Sequence, residues 1–239
     1  MVLRRVQESP LWTARNRVIA AGAKPAPRPR GGSPARVIFA KRWRGLVLFG
    51  SAIVFTASAP YYLTTGILPT VFKTSFDLPQ NQASLFVIIN VIGSAVIAVL
   101  CGHLSQHVGR RPVFVWAGAG CLILIPGLYW LMQAAFADAP ALILVCSAVM
   151  VVLSGAVSAP LIIFLNETFP TEIRSTATAF AWNIGYGLSG LMPTVVTAIS
   201  ARTGNLVNVI VVSAIVIGLA LLALLFGAKE TRGRMDAEG

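Results

Sequence analysis

The chain has 239 residues, 56% of them hydrophobic and only 11% charged, with a formal net charge of +11. Soluble domains carry about 25% charged residues, so a water-soluble globular protein is excluded. Three cysteines are too few for a disulfide framework, and they form no cluster with the two histidines that could ligate a metal.

Residues 1–44 are rich in Arg, Pro, Ala and Gly, and Glu8 is their only acid. No stretch of this segment could bury a core, so it reads as a disordered basic segment. An Arg-rich, acid-poor transit peptide is the alternative on composition alone, and a secretory signal is disfavoured because no apolar stretch precedes residue 45.

Six apolar runs follow, at approximately 45–72, 83–103, 113–135, 141–165, 175–200 and 206–228. Each has the roughly 20 residues that a helix needs to cross the hydrocarbon layer, and none shows the period-two alternation of a barrel strand. The charges between residues 45 and 228 are Lys73, Asp77, Arg110, Arg111, Asp138, Glu167, Glu172, Arg174 and Arg202, all in short polar breaks. A charge at mid-bilayer costs about 2.5–3.5 kcal/mol, which accounts for that segregation. The expected fold is an all-α integral membrane bundle of six transmembrane helices (45–228), followed by a short tail (229–239).

Seventeen of the nineteen basic residues lie before residue 45, in the breaks at 102–112 and 166–174, or in the tail. The alternate breaks hold only Lys73 and Arg202. By the positive-inside rule the termini and both arginine-bearing breaks are cytoplasmic in a cell membrane. The basicity is topological and implies no nucleic-acid partner. Cys101, Cys121 and Cys146 all fall within runs and read as packing residues.

A helix that lines a water-filled path should carry a polar stripe. In the first run Ser58, Tyr61, Tyr62 and Thr65 share one helical face, and Pro60, Gly66 and Pro69 interrupt it. Ser147, Ser154 and Ser158 do the same in the fourth run, ahead of Pro160. Asn183, Tyr186 and Gly190 do so in the fifth, and Asn90 with Ser94 forms a weaker pair in the second. Small polar residues also mediate plain helix packing in membranes, so a lone serine says little. The third and sixth runs are nearly featureless, and Tyr129 and Trp130 near one end of the third suit the lipid interface. Polar, proline-broken first and fourth runs beside plain third and sixth runs suggest a 3+3 internal repeat.

The stretch GHLSQHVGRRP (102–112) holds both histidines and two adjacent arginines between apolar runs. It reads as a cytoplasmic loop, with Gly109 ending one helix and Pro112 opening the next. The stretch resembles the loop signature G-x-L-S-D-R-x-G-R-R of the major facilitator superfamily. Gly102, Leu104, Ser105, Gly109, Arg110 and Arg111 match, while Gln106 stands where that signature has an acid and His107 where it has a base.

Three further stretches are similar to sugar and metabolite:proton symporters of that superfamily. NETFPTEIRSTATAFAWNIGYGLSGLMPT (166–194) resembles the end of their tenth span and their eleventh. KETRG (229–233) resembles the motif that closes their last span, and LRRVQESPLW (3–12) the start of their central loop. The resemblance favours central loop over transit peptide for the N-terminal segment. It implies that the chain is equivalent to the C-terminal six-helix bundle of a twelve-span transporter, as a truncated product or with a mis-assigned start.

The resemblance further implies alternating access of a small polar metabolite with ion-gradient coupling, needing no cofactor. The substrate path would include Ser58, Tyr61, Tyr62, Thr65, Asn90, Ser158, Asn183 and Tyr186. A conformational gate would include Gly102, Gly109, Arg110, Arg111, Glu167 and Arg174. The runs hold no ionisable side chain for proton coupling, so a coupling carboxylate is expected in the missing N-terminal half.

An intramembrane serine protease is disfavoured, because His103 and His107 both lie in the 102–112 loop, away from any nucleophile. A channel-like or non-transporting six-span protein stays open. Single cysteines placed at Gln106 and Glu172 should react with a membrane-impermeant maleimide from the same face of sealed vesicles. Labelling from opposite faces overturns the six-span threading.

Overall fold

The computed structural model describes residues 34–134 and 139–228. Stretches 3–12 and 229–233 of the resemblance, and Asp138, lie outside the described residues. Six helices are long and apolar enough to cross a membrane: Arg44–Thr74, Gln80–Val108, Arg111–Ala134, Pro140–Thr168, Arg174–Thr203 and Leu206–Gly227, here spans one to six. The shortest has 22 residues, which at 1.5 Å per residue exceeds the roughly 30 Å hydrocarbon thickness. Among the described residues every regular element is helical.

The expected loop at 102–112 is a correction. Span two runs unbroken to Val108, so His103 and His107 lie on its last two turns. No proline interrupts Gly102–Val108, and the Ser105 hydroxyl donates to the Gly102 carbonyl at 2.7 Å, so the helix continues past the apolar run. The turn itself shrinks to Gly109, at φ 112° and ψ 160°, and the next helix begins at Arg110. That backbone region is essentially restricted to glycine.

A second difference concerns the end of the N-terminal segment. Pro34–Ile38 forms a short helix, Ile38 is buried, and Phe39 meets Phe180 of span five edge-on at 5.1 Å between ring centroids. The run Val37-Ile38-Phe39 is apolar enough to dock where the arginines around it are not. Residues 1–33 lie outside the described residues.

Span one is helical to Tyr61, passes through a π-helical turn at Tyr62–Gly66, and resumes at Leu68. Span four breaks between Ser158 and Leu161, at Pro160. Proline lacks the N–H that the helix needs and crowds the preceding turn, so both breaks follow from sequence. Their equivalent places match the expected 3+3 pattern. Span five also breaks, between Gly190 and Met192, whereas span two does not, so the parallel between triplets is partial.

Spans one and four are the most buried, and spans two and five the least. Span one packs against five, six and four, span three against six and four, and span two chiefly against four. Helices in lipid gain little from apolar burial, so close approach over small residues must hold them together. A Cβ at Gly185 would lie 2.9 Å from the backbone nitrogen of Phe55 and run into the Val54 side chain. A Cβ at Gly155 would meet the Ser94 carbonyl at 3.1 Å. Spans one and five, and spans two and four, are therefore two backbone-close pairs.

Gly185→Ala should lower stability by about 1–3 kcal/mol, the usual range for overpacking, read as a depressed unfolding temperature in detergent. Gly187→Ala, whose Cβ would meet no atom within 4 Å, should leave it unchanged. Equal effects of the two would refute the close-approach account.

Candidate functional site

Four spans bring their interrupted or small-residue stretches together near mid-length, around a cavity of about 410 Å³. Span one contributes Tyr61, span two Ser94 among alanines, span four Gly155 and Ser158, and span five Tyr186. Each position follows from local sequence. Tyr61 is the last residue of regular helix after Pro60 and before the π-turn, and Gly155 lets span two approach closely enough to form a wall.

The aromatic side of the cavity is a connected cluster. Tyr61 and Tyr62 meet edge-on at 5.4 Å, Tyr62 and Tyr186 at 6.5 Å, and Trp182 lies over Tyr186 at 4.5 Å with a 33° tilt. Ser158 lines the cavity beside Tyr186, and its hydroxyl donates to the Ser154 carbonyl at 3.1 Å. None of the residues around the cavity is ionisable at neutral pH.

Of the residues expected on a substrate path, the structure brings Tyr61, Ser158 and Tyr186 to the cavity, with Tyr62 behind them. Ser58 is not there. It is fully buried between spans, paired with the Ser189 hydroxyl at 2.7 Å. Asn90 donates to Ser147 at 2.9 Å, joining spans two and four, and its side-chain oxygen is buried without a partner. The Thr65 hydroxyl, within the π-turn, is likewise buried without a partner and does not line the cavity. Asn183 is exposed and donates to the Ala179 carbonyl of its own helix.

Tyr129 corrects the interfacial expectation. It is completely buried, and its hydroxyl donates to the Leu63 carbonyl inside the π-turn at 2.8 Å. There the Ile67 N–H reaches Thr64 rather than Leu63, and the third span supplies Leu63 with a donor. Trp130 is exposed, as an interfacial residue would be. Sequence reasoning missed Trp182, although its i, i+4 spacing to Tyr186 was a usable signal.

The expected gate residues gather at one end of the bundle. Arg111 donates from Nε to the Leu225 carbonyl near the end of span six, at 3.2 Å. Arg174 donates from Nε to the Phe169 carbonyl at 3.0 Å, and Glu167 is buried at the end of span four. Gly102 sits inside span two with open space where a Cβ would go, so geometry does not demand glycine there. Arg110 opens the third helix, and its side chain lies outside the described residues.

The model of the Major Facilitator Superfamily matches residues 49–238. The chain belongs to that superfamily. It is 27% identical over 83% of its length to the glycine betaine/proline/ectoine/pipecolic acid transporter OusA of Dickeya dadantii, covering 39% of that protein. It is 25% identical to the citrate-proton symporter of Salmonella typhi and 28% identical to the inner membrane metabolite transport protein YhjE of Escherichia coli. Each of these matches covers 83% of the chain, but only 46% and 45% of the relative. The chain thus spans less than half the length of the relatives it matches. It is a multi-pass membrane protein.

Side-chain hydrogen bonds cross between spans from Ser58 to Ser189, from Thr64 to Ser154 at 3.2 Å, and from Asn90 to Ser147. Such bonds average about 0.6 kcal/mol in membrane bundles. A double-mutant cycle on Ser58→Ala and Ser189→Ala should give a coupling energy of that size in detergent unfolding. Strict additivity would sink the pairing.

Proposed function

We propose that the chain is one six-helix half of a secondary-active transporter that carries a small polar metabolite by alternating access. The supporting observation is the uncharged cavity at mid-span, built from spans one, two, four and five and furnished with tyrosine and serine hydroxyls. Relatives whose names describe transport of betaine, proline or citrate agree with that class. Tyr61, Tyr62, Ser158 and Tyr186 are the proposed substrate contacts. Ser58 and Asn90 support them by holding spans one and two in place.

Gly109, Arg110, Arg111, Glu167 and Arg174 form the proposed gate. Charges at a partly desolvated helix end favour one arrangement and must separate in the other. Arg111 on Leu225 and Arg174 on Phe169 supply fixed points against which such a change would work. We place this end and both termini in the cytoplasm on the positive-inside rule, in a cell membrane.

The partner half, or a second copy, would close the open side of the cavity, since exposed hydroxyls facing lipid are costly. Coupling to protons needs an ionisable group within the membrane, and none of the described cavity residues is one, so a partner half of different sequence would carry it.

A channel-like path is the competing reading, and saturation with counterflow separates the two. In sealed proteoliposomes, Ala159→Cys in a background free of the native cysteines should react with a hydrophilic thiol reagent, as a water-reached cavity requires. The chain alone should show no pH-driven accumulation of proline, betaine or citrate. An unreactive thiol at position 159 would refute the cavity as a path, and strong pH-driven uptake would refute coupling through a partner.

A further inference from the structure

The chemistry of the cavity walls narrows what they can hold, on the footing that the cavity is the transport path proposed above. Charged side chains of the described residues sit in the turns and at the helix ends, and none lines the cavity. A bound charge must therefore be met by something other than a counter-ion from this half. Two kinds of surface are available. One is the aromatic cluster of Tyr61, Tyr62, Trp182 and Tyr186, and the other is a floor of small apolar groups such as Ala95, Ala98 and Ala159.

A carboxylate has little to bind. The hydroxyls at the cavity are Ser94, Ser158 and the two tyrosines, and the Ser158 hydroxyl already donates to the Ser154 carbonyl. A di- or tricarboxylate would be left largely without donors. A primary ammonium would need three acceptors, which the alanine floor does not supply. A fully alkylated ammonium needs none. Its positive charge spreads over methyl groups that pack on alanine, and ring faces attract it through their quadrupoles when it lies within about 6 Å of a centroid. Tyr61 and Tyr186 both line the cavity, so two rings border a single site.

We propose that this cavity binds the alkylated ammonium group of a small zwitterion against the rings of Tyr61 and Tyr186, which Tyr62 and Trp182 hold in place. The carboxylate of such a ligand points away from the alanine floor toward the open side. Tyr186 is the principal ring, because it both lines the cavity and stacks on Trp182.

The test uses the 239-residue chain in lipid nanodiscs and titration calorimetry with glycine betaine as the probe. The comparator is 3,3-dimethylbutanoate, of the same shape with carbon in place of the charged nitrogen. Betaine should bind at least tenfold more tightly than the comparator. Tyr186→Leu and Trp182→Leu should each weaken betaine by tenfold or more, and Tyr186→Phe, which keeps the ring, should weaken it less than Tyr186→Leu.

Thiol reactivity after Ala159→Cys, measured in each variant, verifies that the cavity is intact. Equal binding of betaine and comparator, or undiminished betaine binding by both leucine variants, overturns the proposal. Absent betaine binding with the position-159 thiol still reactive overturns the ammonium assignment and leaves the transport reading standing. An unreactive thiol there, in the chain with its aromatic cluster unaltered, removes both.

Discussion

A helix that opens inside lipid must have its freed backbone groups met by protein, since the bilayer offers no water. Span one opens in this way at Tyr62–Gly66, and much of the bundle is arranged around that opening. Tyr129 of span three crosses to the Leu63 carbonyl, Thr64 bonds Ser154 of span four, and Ser58, one turn earlier, bonds Ser189 of span five. Two neighbouring helices thus meet the interrupted turn itself, and a third holds the helix one turn before it. Pro60 withholds an N–H just ahead of the interruption, and the Thr64 hydroxyl returns to the Pro60 carbonyl at 2.8 Å. Tyr61, which lines the cavity, immediately precedes this turn, so the supported turn and the site adjoin.

The site is uncharged because of where it lies. Its residues sit near mid-length in four spans, where an isolated charge would be expensive. Polarity is supplied instead by hydroxyls and ring faces, which can be buried when their partners are close. Many of those partners are within the same helix, as with Ser158 on Ser154 and Ser189 on Gly185. The charges move to the helix ends, where Arg111 and Arg174 meet carbonyls at Leu225 and Phe169. Unsatisfied carbonyls at helix C-termini favour cations, which explains why arginine serves there.

Six spans, their breaks at proline and the basic end were legible in the sequence because lipid imposes simple rules on length and charge. Individual side chains were harder to place. Ser58, Tyr61, Tyr62 and Thr65 share a face of a straight helix, but the π-turn adds a residue and separates Thr65 from Tyr61, and Ser58 is taken by Ser189. Tyr129 sits near the end of an apolar run, which suits an interface, yet a distant carbonyl at Leu63 claims its hydroxyl. His103 and His107 stand between apolar runs and resemble loop residues, although helices extend beyond the hydrocarbon wherever no residue stops them. For the serine and the tyrosine, what was missed depends on a partner far away in sequence.

Close backbone contact at Gly185 draws span five onto span one, and contact at Gly155 does the same for spans two and four. The cavity draws its walls from both pairs and lies along the seam between them. The Thr64 hydroxyl bonds Ser154 across that seam, and at Gly50 span one also comes close to Leu165 of span four and to Phe169 beyond it. The aromatic end of the chamber belongs to one of these pairs, with Tyr61 on span one and Tyr186 on span five, while Ser94, Gly155 and Ser158 come from the other.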